Sequence, residues 1–185
     1  MIARRFFTIS NFFSASRIVL IFPIGYCLIA EFPHHRWWTA GLIAVGVGTD
    51  FLDGFLARRL HQVTDIGKII DPLADKIAVG AYAVLMAWTG DVPLWFVVLV
   101  LLRDLLIFLG GIVILRAKKI VPQSNWPGKI SISLTALVFF IATVQVEFLM
   151  RLFSAALWAS VVMAVWSVWA YARRLFIGRN IEQIQ

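Results

Sequence analysis

Long apolar runs separated by short polar segments make up most of the sequence. A membrane-spanning helix needs about 20 consecutive apolar residues. Six runs of this kind predict six transmembrane helices, at residues 13–31, 37–57, 69–89, 93–116, 130–149 and 152–175. An even number of crossings places both ends of the chain on the same side of the membrane.

The two ends of the chain are more polar than the runs between them. Residues 1–12 carry Arg4 and Arg5 next to two phenylalanines, which is typical of a short helix lying in the membrane interface. We predict an all-α polytopic membrane protein with a single domain over 1–185. It comprises an interfacial helix at 1–12, a six-helix bundle at 13–175 and a cytoplasmic tail at 176–185.

Composition excludes a soluble fold. Hydrophobic residues make up 61% of the 185-residue chain and charged residues only 15%. That is more apolar side chain than the core of a soluble protein of this length can bury. The chain is therefore expected to be an integral membrane protein.

The cations lie mostly at one end of the predicted crossings. Arg36 and Arg151 map to the other end, and Arg17 and Arg103 lie within crossings. Because cytoplasmic loops carry the excess of Lys and Arg, the cation-rich end and both termini are predicted to be cytoplasmic, with the protein in the cytoplasmic membrane. The net charge of +7 then suits anionic lipid head groups, and no nucleic-acid partner is expected.

Four aspartates within a short stretch carry the candidate chemistry. On helices, Asp50 and Asp53 share one face and Asp71 and Asp75 share another, because each pair is about one turn apart. Ionised carboxylates are costly beside a bilayer, which favours a bound cation. Ligands that are all oxygen suit Mg²⁺ or Mn²⁺, and four carboxylates can hold two such ions. The alternative is a structural network of salt bridges with the neighbouring cations Arg58, Lys68 and Lys76.

The spacing of these aspartates resembles the motif of the CDP-alcohol phosphatidyltransferase family. Every fixed position is filled, in the order Asp50-x2-Asp53-Gly54-x2-Ala57-Arg58-x8-Gly67-x3-Asp71-x3-Asp75. The segment Asn11-x2-Ser14-x2-Arg17 is similar to the family's Asn-x2-Thr-x2-Arg entry to the first crossing. The resemblance implies transfer of a phosphatidyl group from CDP-diacylglycerol to an alcohol, with release of CMP, at the cytoplasmic side of the membrane.

The resemblance also implies roles for individual residues. Asp50, Asp53 and Asp71 would bind the metal ions, with Asp75 assisting as a ligand and also taking the hydroxyl proton of the acceptor. The remaining motif residues would bind the CDP group, with Gly54, Ala57 and Gly67 lining the cytidine site and Arg58 near the diphosphate. The family further suggests a homodimer.

The acceptor should be recognised by basic residues outside this motif. The pair Arg103-Asp104 resembles an Arg-acidic pair in the family's glycerol-acceptor branches. Arg103 lies too deep in a crossing to reach the surface, so it is predicted to face a cavity or to pair with a carboxylate. Asp104 is not its expected partner, because adjacent residues point to different sides of a helix. Lys129 is either a head-group contact or a positive-inside anchor.

The identity of the acceptor depends on two departures from the family's pattern. Gly111 and Ser131 stand where the glycerol-3-phosphate branch usually has Arg and Lys. A phosphomonoester carries more charge than a phosphodiester and needs more fixed cations. We therefore expect phosphatidylglycerol to be used at least as well as glycerol 3-phosphate, although Arg116 offers one replacement charge.

Two other functions remain as alternatives. The same transfer to inositol phosphate or serine would require only a different acceptor site. A membrane ion or proton transporter would also use carboxylates within the membrane. Its carboxylates usually lie near the bilayer midplane, whereas these aspartates map to the ends of crossings.

Overall fold

The computed structural model describes residues 9–30, 32–60, 67–118 and 126–181, with side chains described for residues 16, 18–30, 32–49, 76–111 and 126–173. Within these residues there are six α-helices and no strand, which confirms the all-α class. The helices are α1 (Ile9–Ile29), α2 (His35–Leu60), α3 (Gly67–Trp88), α4 (Leu94–Lys118), α5 (Trp126–Val144) and α6 (Glu147–Ile181).

The ends of the chain differ from the predicted boundaries. The predicted interfacial helix at 1–12 is not confirmed, because residues 9–12 belong to α1 and residues 1–8 lie outside the described part. The predicted tail at 176–185 is helical as far as Ile181, the last residue of α6. The apolar runs therefore located the helices but not where each one begins and ends.

The boundary between α5 and α6 was predicted at the wrong place. The sequence suggested a turn near Arg151, but α5 ends at Val144 and Gln145 has a φ of 50°. A residue in this left-handed conformation ends a right-handed helix. Arg151 instead lies within α6, where its NH2 is 4.0 Å from an Oε1 of Glu147. A charged side chain can remain on a helix, so its position was a poor guide to the turn.

In the part of the chain that the structure describes, three helices are long and apolar enough to cross a membrane. Among the described residues, the spans are Leu94–Gly111, Trp126–Val144 and Glu147–Arg173. Two shorter apolar helices, Ile18–Ile29 and Lys76–Trp88, belong to α1 and α3. These helices fit an integral membrane protein.

The first of two compact units contains α1 to α3 and ends at Asp91. Here α1 packs against both α2 and α3. A short turn reverses the chain after α1, and His35 Nδ1 lies 2.9 Å from the carbonyl oxygen of Cys27. Arg36 NH2 donates a 2.9 Å hydrogen bond to Asp91 Oδ1, which places the end of α3 beside the start of α2. Consequently α2 runs antiparallel to α1, and α3 runs parallel to it.

The second unit begins at Val92 and contains α4 to α6. Here α6 packs against both α4 and α5. The rings of Phe96 and Phe139 meet edge to face at 6.3 Å. The hydroxyls of Thr135 and Ser160 form a buried hydrogen bond of 2.9 Å between α5 and α6. The core of this unit thus includes polar groups that satisfy one another across helices.

Candidate functional site

The motif aspartates lie at two helix ends that follow one another in the chain. Asp50 and Asp53 are in the C-terminal part of α2, and Asp71 and Asp75 are in the N-terminal part of α3. Their side chains lie outside the described part of the structure. The helical backbone confirms the spacing on which the predicted pairing of the carboxylates depends, because each pair is about one turn apart.

Two close approaches between helices are found in the first unit. A Cβ atom built on Gly46 of α2 would lie 3.7 Å from Leu20 Cδ1 of α1. A Cβ atom built on Gly25 of α1 would lie 3.2 Å from Leu85 Cδ1 of α3. The helix α1 thus lies close to both α2 and α3.

The four aspartates lie on the two helices that pack against α1. Asp50 and Asp53 are near the C-terminal end of α2, which runs antiparallel to α1, and Asp71 and Asp75 are near the N-terminal end of α3, which runs parallel to α1. Both stretches therefore belong to the end of the unit where α1 begins. The N-terminal part of α1 carries the entry motif, Asn11, Ser14 and Arg17.

A donor set made of these four aspartates fits a hard divalent cation. Four carboxylates from two helices supply only oxygen ligands, which suit Mg²⁺ and Mn²⁺ rather than a metal that prefers nitrogen or sulfur. Among the described side chains, no cluster of three or more His, Cys, Asp or Glu residues forms another candidate metal site. The other motif residues share the same helices, with Gly54, Ala57 and Arg58 on α2 and Gly67 as the first residue of α3.

A second candidate site surrounds Arg103 in the second unit. Arg103 lies on α4 and is only 8% exposed. Its NH1 donates a 2.5 Å hydrogen bond to Asp104 Oδ1, and its NH2 donates to the carbonyl oxygen of Gly128 and to Ser167 Oγ, both at 3.2 Å. Its Nε is buried without a hydrogen-bond partner among the described residues. One guanidinium thus joins α4, α5 and α6.

The ion pair with Asp104 corrects the prediction for this residue. Arg103 was correctly expected to pair with a carboxylate or face a cavity, but the carboxylate is that of Asp104, which was not the expected partner. Adjacent side chains leave a helix about 100° apart, yet the long arginine side chain can turn back to its neighbour. A buried charge without a partner would be costly, and this cost outweighs the imperfect geometry.

An apolar cavity adjoins Arg103 between α4 and α6. Its volume is about 300 Å³. The remaining lining residues are apolar and comprise Leu99, Leu102 and Leu106 of α4 together with Ala164, Val165, Val168 and Trp169 of α6. A cavity of this character suits hydrocarbon rather than a small polar molecule.

The other predicted acceptor residues have different surroundings. Lys129 follows Gly128 in the first turn of α5, is exposed, and holds its Nζ 5.6 Å from the ring centroid of Trp126. Ser131 is 1% exposed, and its carbonyl oxygen accepts a hydrogen bond from Thr135. Arg116 lies in the last turn of α4, and its side chain is outside the described part.

The sequence-based prediction did not include Ser167 or the carbonyl of Gly128 as partners of Arg103. A backbone carbonyl leaves no signal in the sequence. Ser167 does leave one, because it follows Ser160 by seven residues within an apolar helix. Residues seven apart lie on the same face, and both serines are fully buried. This spacing is a usable indication of an inward polar stripe.

The chain matches the family model for CDP-alcohol phosphatidyltransferase over residues 7–166, and it therefore belongs to that family. It is 32% identical over 129 residues to a cardiolipin synthase (CMP-forming) of Streptomyces coelicolor. It is also 32% identical over 136 residues to a CDP-diacylglycerol--glycerol-3-phosphate 3-phosphatidyltransferase of Bacillus subtilis. A protein of Mycobacterium tuberculosis named probable phosphatidylglycerophosphate synthase is 30% identical over 129 residues.

These similarities cover part of each protein. The matches include 68% of this chain and 60% of the Streptomyces protein, 70% and 69% for the Bacillus protein, and 68% and 61% for the Mycobacterium protein. The chain thus spans about three fifths of the first and third of these relatives. Their names also divide between the two acceptors that the sequence left open.

Proposed function

We propose that this protein is a metal-dependent enzyme that transfers a phosphatidyl group from CDP-diacylglycerol to a glycerol-type acceptor and releases CMP. Family membership supports the reaction class. The observation that carries the proposal is that the ends of α2 and α3 that hold the four motif aspartates belong to the end of the first unit where α1 begins. That part of α1 holds Asn11, Ser14 and Arg17.

In this reaction the acceptor hydroxyl oxygen attacks the phosphorus of the phosphatidyl group and the bond to CMP breaks. Asp75 accepts the hydroxyl proton as the general base. Asp50, Asp53 and Asp71, assisted by Asp75, would hold one or two Mg²⁺ or Mn²⁺ ions, which would neutralise charge developing on the leaving CMP. Gly54, Ala57, Arg58 and Gly67 would bind the CDP group.

For the acceptor we favour phosphatidylglycerol, which would yield cardiolipin. Arg103 is the proposed phosphate contact, but Asp104 already neutralises much of its charge. A phosphodiester with a single charge suits this environment better than a phosphomonoester with up to two. The adjoining apolar cavity also suits an acyl chain, which glycerol 3-phosphate lacks. Lys129 and Arg116 are the proposed additional head-group contacts.

The proposed arrangement in the membrane follows from charge. All six helices would cross the bilayer, with the motif and both termini on the cytoplasmic side, because the connections there carry most of the cations. We also propose a homodimer, which chemical cross-linking of the protein in membranes would test.

A panel of acceptors tests the reaction and the acceptor together. Purified protein would receive CDP-diacylglycerol with Mg²⁺ and one of four alcohols: phosphatidylglycerol, glycerol 3-phosphate, inositol phosphate or serine. CMP release and the mass of the lipid product are measured. We expect cardiolipin with phosphatidylglycerol. Efficient formation of phosphatidylglycerophosphate without any cardiolipin would contradict the acceptor proposal but not the reaction class.

A further inference from the structure

Ser167 occupies an unusual position for a serine in an apolar helix. Its side chain is fully buried, and its Oγ accepts a hydrogen bond from Arg103 NH2. Asp104 neighbours Arg103 on the same helix, and Gly128 contributes only its backbone. Among the described hydrogen-bond partners of Arg103, Ser167 is thus the side chain that reaches the guanidinium from another helix.

The geometry of a guanidinium makes such a contact consequential. Its five N–H donors lie in one rigid plane, so hydrogen bonds that hold NH1 and NH2 also fix the direction of the Nε donor. In Arg103, NH1 and NH2 have partners on three helices, whereas Nε is buried and lacks one among the described residues. Buried donors are usually satisfied, so the unmet donor of Arg103 is a candidate position for an oxygen atom of the acceptor phosphate.

We propose that Ser167 is a positioning residue for the acceptor. By holding NH2, Ser167 orients the guanidinium plane so that the free donor is directed at the phosphate of the acceptor. This inference rests on the proposed role of Arg103 in acceptor binding. Removal of the serine oxygen leaves the charge of Arg103 in place but lets the guanidinium rotate, which weakens acceptor binding and leaves donor binding unchanged.

Ser160 provides a matched control for this test. It lies on the same face of α6, seven residues earlier, and is also fully buried. Its hydroxyl bonds to Thr135 rather than to Arg103. Ser160→Ala and Ser167→Ala therefore remove the same atom from similar depths, and only Ser167→Ala alters the surroundings of Arg103.

The experiment measures KM for phosphatidylglycerol, KM for CDP-diacylglycerol, kcat and thermal unfolding on the full-length protein in detergent. We expect Ser167→Ala to raise the acceptor KM by about tenfold, the effect of one lost hydrogen bond to a charged group. The donor KM should stay at the wild-type value, and Ser160→Ala should change neither KM. Ser167→Cys keeps the shape of the side chain, with a larger atom that is a weak acceptor, so it should also raise the acceptor KM.

Two outcomes overturn the inference. One is an unchanged acceptor KM in Ser167→Ala, and the other is an equal rise in Ser160→Ala, which would indicate a general packing effect. Arg103→Gln separates this inference from the proposed function. If Arg103→Gln raises the acceptor KM and Ser167→Ala does not, only the positioning role fails. If Arg103→Gln leaves the acceptor KM unchanged, both the role of Arg103 and that of Ser167 are refuted.

Discussion

At the scale of single residues, the proposed chemistry assigns different tasks to carboxylates that look alike in the sequence. Asp71 and Asp75 both lie in the N-terminal part of α3, about one turn apart. The first is a proposed metal ligand, and the second is a proposed base as well as an assisting ligand. Substitutions that remove the charge but keep the shape can separate these two roles.

We predict that Asp75→Asn lowers kcat by about 10²- to 10⁴-fold, as expected for loss of a general base. Binding of CDP-diacylglycerol should persist, because Asp50, Asp53 and Asp71, the principal proposed metal ligands, remain. Equilibrium binding of labelled donor, measured beside turnover, checks both statements. Asp71→Asn is the matched control and should weaken donor binding. If donor binding is lost in Asp75→Asn, that residue is chiefly a ligand.

Asp104 offers a second test at this scale, because its carboxylate offsets the charge of Arg103. Asp104→Asn leaves the arginine as an uncompensated cation, which should favour an acceptor with more negative charge. We predict that the ratio of kcat/KM for glycerol 3-phosphate to that for phosphatidylglycerol rises by about tenfold, or ~1.4 kcal/mol.

Asp91→Asn is the control for this change. Asp91 also pairs with an arginine, Arg36, but it lies at the end of α3 rather than beside Arg103. The Asp91→Asn variant should leave the ratio of kcat/KM for the two acceptors unaltered. Equal shifts in both variants would show that the effect does not depend on the charge beside Arg103.

At the scale of helices, apolar length located the six elements but local backbone geometry decided where they end. The turn between α5 and α6 depends on the left-handed conformation of Gln145. The neighbouring residues in the sequence do not indicate this conformation. The aspartate motif could be interpreted from the sequence alone. Residues that are three or four positions apart lie on the same face of a helix whatever surrounds the helix.

Gln145 allows this interpretation of the turn to be tested. A side chain is unfavourable at positive φ, whereas glycine adopts this conformation freely. We predict that Gln145→Gly stabilises the protein by ~0.5–1 kcal/mol, the strain relieved minus the added entropy of glycine. Thermal unfolding in detergent measures the change. Val146→Gly, at the next residue, should instead be destabilising, and an equal response of the two variants would argue against strain at Gln145.

At the scale of the whole molecule, the sequence predicted the family more fully than the surroundings of Arg103, the proposed acceptor contact. Asp50, Asp53, Asp71 and Asp75 form a local pattern that needs no tertiary information. The partners of Arg103 do need it, because Gly128 and Ser167 lie 25 and 64 residues away in the chain. Contacts of this kind arise from helix packing, which periodicity alone does not specify.

The proposed orientation makes a prediction for the complete molecule. Single cysteines introduced at 59–68 and 117–128 in a Cys27→Ser background should react with an impermeant thiol reagent only from the cytoplasmic side, because these connections carry the cationic bias. Val146→Cys, in the turn between α5 and α6, should react only from the opposite side. The reverse pattern would invert the topology.

Release of CMP tests most directly whether the aspartate motif performs metal-dependent transfer from CDP-diacylglycerol, as we propose. The purified protein, supplied with CDP-diacylglycerol and phosphatidylglycerol, should release CMP with Mg²⁺ or Mn²⁺, lose this activity in excess EDTA, and regain it when the metal is restored. The Asp53→Asn variant should remain folded, yet its rate of CMP release should fall by several orders of magnitude. Undiminished CMP release in excess EDTA, or from the Asp53→Asn variant, would contradict metal-dependent transfer by the aspartate motif.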